Sequence, residues 1–185
     1  MRRGKRYKNE SYKAKSREFI RQQARDLRKQ LNIDSVHEPD LYYVILTLKM
    51  VFPHFKLKIV SDADLPYSDA RAYCKAWVLT VRKSILVLLS HYGDGRARWT
   101  VAHELGHLVL QHPKSRLDRK RPDEPILESV RVFEDEADIF ASEFLAPSHL
   151  AAKCHTHEEI RALFQISPPA AIRRKKELDE ARKVG

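Results

Sequence analysis

"WTVAHELGHLVLQH", residues 99–112, decides the reading: His103 and His107 stand four positions apart, with Glu104 directly after the first, inside an otherwise apolar run. On an α-helix, residues i and i+4 share one face about one turn apart, so the two imidazoles converge on a single point. Neutral imidazole nitrogen suits Zn²⁺, and a catalytic zinc takes three protein ligands while leaving one position open. Glu104 is then placed to receive the proton of a water molecule as that water attacks a carbonyl. Val101, Ala102, Leu105, Leu108 and Leu110 let the helix be buried and so hold the ligands still. Gly106 costs about 1 kcal/mol of helix propensity relative to Ala, so the sequence predicts close approach there by a neighbouring backbone or a substrate strand. H-E-x-x-H also arises by chance, and a satisfied pair of helix histidines is the plain alternative.

A third ligand separates the two readings. "FEDEADIFASEFLAP", residues 133–147, has helical spacing that puts Glu134, Asp138 and Ala141 on or near one face beside Ala137. The small Ala137 and Ala141 let this helix lie close to the histidine helix and bring Glu134 to the metal. Asp138, one turn on, is placed to accept the free N–H of a ligand histidine and fix its orientation. The other account of these acids is a solvated helix face, and it fits Asp135, Glu136 and Glu143 better than Glu134.

Around these two helices the pattern predicts an α+β fold: a small antiparallel sheet packed on several helices, with a short C-terminal helical bundle. "SREFIRQQARDLRKQLNI" places Phe19, Ile20, Ala24, Leu27 and Leu31 near helical spacing, predicting an amphipathic helix packed on the body. The apolar run after Pro39 predicts a second helix that Pro53 ends. "KLKIVSD" alternates like a strand, and residues 76–82 and 84–90 read as two more, closed by the turn "YGDG". Pro113, Pro122 and Pro125 break the chain into a charged surface loop after the histidine helix. Thr156 with Glu159, and Ser167 with Pro168, signal the starts of two further short helices.

The net charge of +10 is localised: residues 1–31 hold twelve Lys or Arg against three acids, leaving 23 bases and 22 acids in the other 154 residues. Such an arm could hold nucleic acid by counterion release or dock on an acidic partner, and its bland form is a solvated tail. No apolar run reaches the eighteen or so residues of a membrane span, and no apolar segment marks a secretory signal, so a cytoplasmic protein is expected. Cys74 and Cys154 form no C-x-x-C pattern and read as ordinary, partly buried thiols.

The two motifs together resemble the ImmA/IrrE metallopeptidases, which pair "HELGH" with a downstream E-x-x-A-[ND]-x-F-A-x-x-[LF]-L-x-P helix, here "EDEADIFASEFLAP". The resemblance runs in element order from about residue 40 to 175 and is concentrated in those motifs. It implies a zincin-like domain in which His103, His107 and Glu134 bind zinc and Glu104 is the catalytic base. Members of the family are similar in acting as intracellular proteases that cleave DNA-binding repressors of mobile elements, prophages and stress responses, so a repressor is the implied protein substrate. Some members carry an N-terminal helix-turn-helix domain, where this sequence has a basic arm. The chain thus divides into arm and amphipathic helix (1–31), zincin-like core (32–150) and C-terminal helices packed on that core (151–185).

Other residues carry weaker signals. His112, His91, Tyr92 and His149 are candidate donors to a tetrahedral oxyanion. Cys154, His155 and His157 read as helix-flanking residues more readily than as a second metal site. Arg173, Arg174, Lys175 and Lys176 fall in the second helix of a helix-turn-helix spacing, where DNA contact competes with simple packing on the core. The competing function is a regulator that keeps the zinc fold without catalysis and acts by binding; a pure binder has no need of Glu104 as a base.

Overall fold

Helix α1 (Arg17–Gln30) shows how the sequence sets its own ends: the Ser16 hydroxyl accepts from the Phe19 N–H, Glu18 lies in the first turn, and Arg28 and Lys29 lie in the last, complementing the helix dipole. The computed structural model describes residues 12–113 and 128–184. Ile20, Ala24 and Leu27 are fully or almost fully buried at i, i+4 and i+7, and the helix lies against α5 (Glu128–Leu145). Phe19, expected on that stripe, is 47% exposed. Arg28, one of the basic residues of the arm, is wholly buried, donating to the carbonyls of Phe144 and Ile33 at 2.7 Å each and to that of Val36. Burial pulls this guanidinium down to about 10.

Helix α2 (Leu41–Val51) follows Pro39, is capped by Asp40 accepting from the Tyr43 N–H, and buries Leu41, Val44, Ile45 and Leu48. The sheet has the order β1-β3-β2, with β1 (Lys56–Val60), β2 (Ala70–Tyr73) and β3 (Val78–Arg82). It is mixed, not antiparallel throughout: β1 runs parallel to β3, with Lys56 opposite Val78, and only β2 is antiparallel to β3. The run 84–90, read as a strand, is helical, forming α3 (Lys83–Val87) and a π-helical turn over Leu88–Tyr92. The reason is visible in what it buries: Ile85, Leu86 and Leu89 go inward while Val87 is 42% exposed, a helical spacing and not an alternation.

Helix α4 (Gly95–Leu110) starts at Asp94, whose carboxylate accepts from the Ala97 N–H at 2.7 Å. It buries Val101, Ala102, Leu105, Leu108 and Leu110 in one core with Phe140, Ala141 and Phe144 of α5. A Cβ at Gly106 would lie 3.1 Å from the Phe140 Cβ and 3.2 Å from both the Cα and the carbonyl oxygen of Ala137, so the expected close backbone approach is that of α5. Pro113 is described, and Pro122 and Pro125 lie outside the described residues.

After α6 (Ser148–Ala151), Thr156 caps α7 (His157–Phe164) by accepting from the Glu159 N–H, and α8 (Pro168–Val184) runs seventeen residues, longer than the short helix expected. Arg174 is buried in α8, its guanidinium donating to Glu143 Oε2 at 2.6 Å and to the Ala146 carbonyl at 2.7 Å. That settles packing over base reading for this residue. Glu143, expected to face water, is completely buried as its counter-charge. No helix among the described residues is long and apolar enough to cross a membrane.

Candidate metal centre

Two helices supply the site. One turn of α4 separates His103 from His107, and the Gly106 contact brings α5 near enough that Glu134 meets both rings. Nε2 of His103 lies 3.1 Å from Nε2 of His107 and 3.1 Å from Glu134 Oε2, while His107 Nε2 lies 3.6 Å from Glu134 Oε1. Two ligands held at zinc distances of about 2.0–2.1 Å and a tetrahedral angle lie about 3.3 Å apart, so these donors already have the separations that such an ion requires. Among the described residues, His103, His107 and Glu134 are the group of His, Cys, Asp and Glu side chains that could hold a metal ion. Cys154, His155 and His157 form no such group; Cys154 is buried and His157 pairs with Glu158 at 2.9 Å.

Each histidine is gripped from behind. Nδ1 of His103 lies 2.8 Å from Asp138 Oδ1, as the one-turn spacing from Glu134 predicts, and Asp138 is itself held by Arg173 at 2.6 Å. Arg173, a candidate for DNA contact in the sequence, is thus engaged with the site. Nδ1 of His107 lies 2.7 Å from Nδ1 of His112, and His112 Nε2 lies 2.9 Å from Glu136 Oε2. His112 is 1% exposed with both ring nitrogens engaged, so it stands behind His107 and does not serve as an oxyanion donor. Of the other candidates, His149 rests on the Asp34 carbonyl and His91 on Ser90, and the Tyr92 side chain lies outside the described part of the structure. Glu136, expected to face water, is 3% exposed.

Glu104 lies beside this cluster, and its Oε2 accepts from the Ala72 N–H of β2, an edge strand, at 2.6 Å. Burial lifts the Glu104 carboxyl to about 7, against the pull of His103 and of the Ala72 N–H. A carboxylate poised near neutrality is suited to taking up and returning a proton. Burial opposes the charge on Glu134 too, but hydrogen bonds with His103 and His107 outweigh it and hold that carboxyl well below the usual range. Burial likewise opposes a charged His103, yet Asp138 and Glu134 push it up to about 10. Burial and the charge on His103 lower His107. The cluster therefore presents a concentrated negative potential, and a cation competes with protons for the same nitrogens.

Sequence reasoning missed β2 and hence the anchor of Glu104. It also missed the outer partners Arg173, His112 and Glu136, which lie far along the chain from the groups they hold or were assigned other roles. Arg173 had one usable signal, a basic residue in the second turn of a helix whose partner acid, Asp138, was already in the motif.

In sequence, residues 55–176 match the model of the peptidase M78 family, described as the IrrE N-terminal-like domain. No curated protein matches the chain. The matched span contains both motif helices and the sheet, so the chain belongs to the ImmA/IrrE family of metallopeptidases.

Proposed function

We propose that the protein is a zinc-dependent endopeptidase that hydrolyses a peptide bond in a protein substrate, with Glu104 as the base and His103, His107 and Glu134 as the metal ligands. The observation that carries this reading is geometric: three donors with tetrahedral separations, and beside them the half-buried Glu104 carboxylate held by the Ala72 N–H. The donor set of two imidazoles and one carboxylate fits zinc, which supplies Lewis acidity toward a carbonyl and makes water acidic near neutral pH. Glu104 accepts the proton of the attacking water and returns it to the leaving amine, held in place meanwhile by the Ala72 N–H. Asp138 and Arg173 keep the His103 ring turned with Nε2 inward. The family resemblance supports a DNA-binding repressor as the substrate, and the buried thiols of Cys74 and Cys154 suit a reducing cytoplasm.

The test compares wild type with Glu104→Gln, both carrying measured zinc, against the DNA-binding protein encoded nearest to it, with new N-termini read by mass spectrometry. Wild type generates a new N-terminus, and the variant, which keeps zinc, is slower by about 10² to 10⁴. Equal cleavage by both would remove Glu104 from the mechanism. Binding of the repressor by both without cleavage would favour a non-catalytic regulator.

A further inference from the structure

The row of groups behind His107 runs out of the site to the segment that precedes α1. Glu136 Oε1 accepts the Lys15 backbone N–H at 2.6 Å, and its Oε2 accepts the Tyr12 hydroxyl at 2.8 Å, with the Lys15 ammonium 3.6 Å away. The Tyr12 ring stands edge-on to Phe133 with centroids 4.5 Å apart, and Phe133 stacks on His112 at 5.1 Å. The segment is therefore seated by packing as well as by hydrogen bonds.

The proton positions in this row are fixed by what each group can do. A carboxylate only accepts, so a neutral His112 must donate to Glu136 from Nε2, which leaves His112 Nδ1 as an acceptor. His107 must then donate from its own Nδ1, leaving the Nε2 lone pair facing His103 and Glu134. Without the Glu136 charge, His112 is free to donate from Nδ1. That reverses the contact, puts the His107 proton on Nε2, and blocks the nitrogen that a metal needs.

We propose that the segment before α1 is a working part of the metal centre: Tyr12 and the Lys15 N–H hold Glu136, Glu136 orients His112, and His112 presents the Nε2 lone pair of His107 to the ion. These are positioning residues, and the inference rests on the reading of His103, His107 and Glu134 as ligands. It gives the basic N-terminal region a task inside the protein, separate from any partner it contacts.

The experiment uses the full chain and Zn²⁺ itself, with affinity from competition against a chromogenic chelator and the His107 tautomer from ¹⁵N imidazole resonances of the metal-free protein. His112→Phe keeps a ring on Phe133 but offers no acceptor; Glu136→Gln keeps size but removes the charge. Each should bind zinc about 10- to 100-fold more weakly, the usual effect of losing an outer partner of a metal ligand. Glu136→Gln should also move His107 toward the Nε2–H tautomer, which a general loss of packing would not do. Tyr12→Phe, which removes one hydroxyl, should weaken zinc by up to about tenfold and keeps the test open should either core variant fail to fold. Wild-type affinity in the variants that fold, or a dominant Nε2–H tautomer in wild type, overturns the inference while leaving the ligand assignment standing. A wild-type chain that takes up no zinc overturns both.

Discussion

Gly106→Ala probes how tightly the helix interface sets the metal centre. The new Cβ would meet the Phe140 Cβ at 3.1 Å and the Ala137 Cα and carbonyl oxygen at 3.2 Å. Carbon pairs sit best at about 3.5–4.0 Å, so α5 must retreat by roughly half an ångström. None of the three atoms can swing aside, because two are backbone and the third is bonded to it. Overpacking of this kind costs about 1–3 kcal/mol, against about 1 kcal/mol gained in helix propensity, so the metal-free protein should lose about 1 kcal/mol. Glu134 lies on the turn before Ala137 and retreats with it, lengthening its 3.1 Å contact to His103. A tenfold loss of zinc affinity would take about 1.4 kcal/mol more from stability at saturating zinc. Urea unfolding with and without zinc reads both quantities, and the deficit should be larger with zinc. A variant about 1 kcal/mol more stable than wild type, with unchanged zinc affinity, would show that the interface yields freely and refute the reasoning.

Glu143→Gln removes the nearer of two carboxylates paired with the buried Arg174, leaving Glu177 at 3.0 Å, and should cost about 1–3 kcal/mol at neutral pH. Burial opposes the Glu143 charge, but Arg174 and Ser148 outweigh it and hold the carboxyl below its ordinary 4.5. A depressed folded value gives stability that is present above 4.5 and lost as pH falls below it, so urea midpoints of wild type and variant should converge from pH 7 toward acid; a gap that does not narrow would discount the pair. Deleting residues 1–11, with five Lys or Arg and one Glu, should reduce binding to duplex DNA or an acidic partner and flatten its salt dependence, while zinc content stays unchanged because Tyr12 and Lys15 remain. Unchanged binding at low salt would mean that those charges grip nothing.

The grouping of His103, His107 and Glu134, with Asp138 behind it, was legible because its spacing is a property of single helices: i, i+4 on α4 and one turn from Glu134 to Asp138 on α5. Gly106 was legible as an anomaly, a costly residue in an otherwise favourable helix. The run 84–90 was not, since a short apolar segment rich in Ile, Leu and Val fits a strand or a buried helix equally until its burial pattern is known. Parallel pairing of β1 with β3 depends on β2 lying on the far side of β3, which no local pattern encodes. Glu136 and Glu143 looked like surface acids because the groups that neutralise them come from elsewhere: Tyr12 and Lys15 for the first, Arg174 from α8 for the second.

The pairing of α1 with α5 has a consequence for the order in which the protein is made. The Arg28 guanidinium donates to the Phe144 carbonyl, 116 positions later in the chain. At ribosomal speeds of about 5–20 residues per second, the first helix waits roughly 6–23 s before its partner has been synthesised. Through that interval Ile20, Ala24 and Leu27 lack the surface that covers them in the finished protein. The two histidines of α4 emerge before Glu134, and the Tyr12 and Lys15 contacts to Glu136 form only once the ends of this long loop meet. A nascent chain stopped short of α5 carries the H-E-x-x-H helix but no three-ligand site.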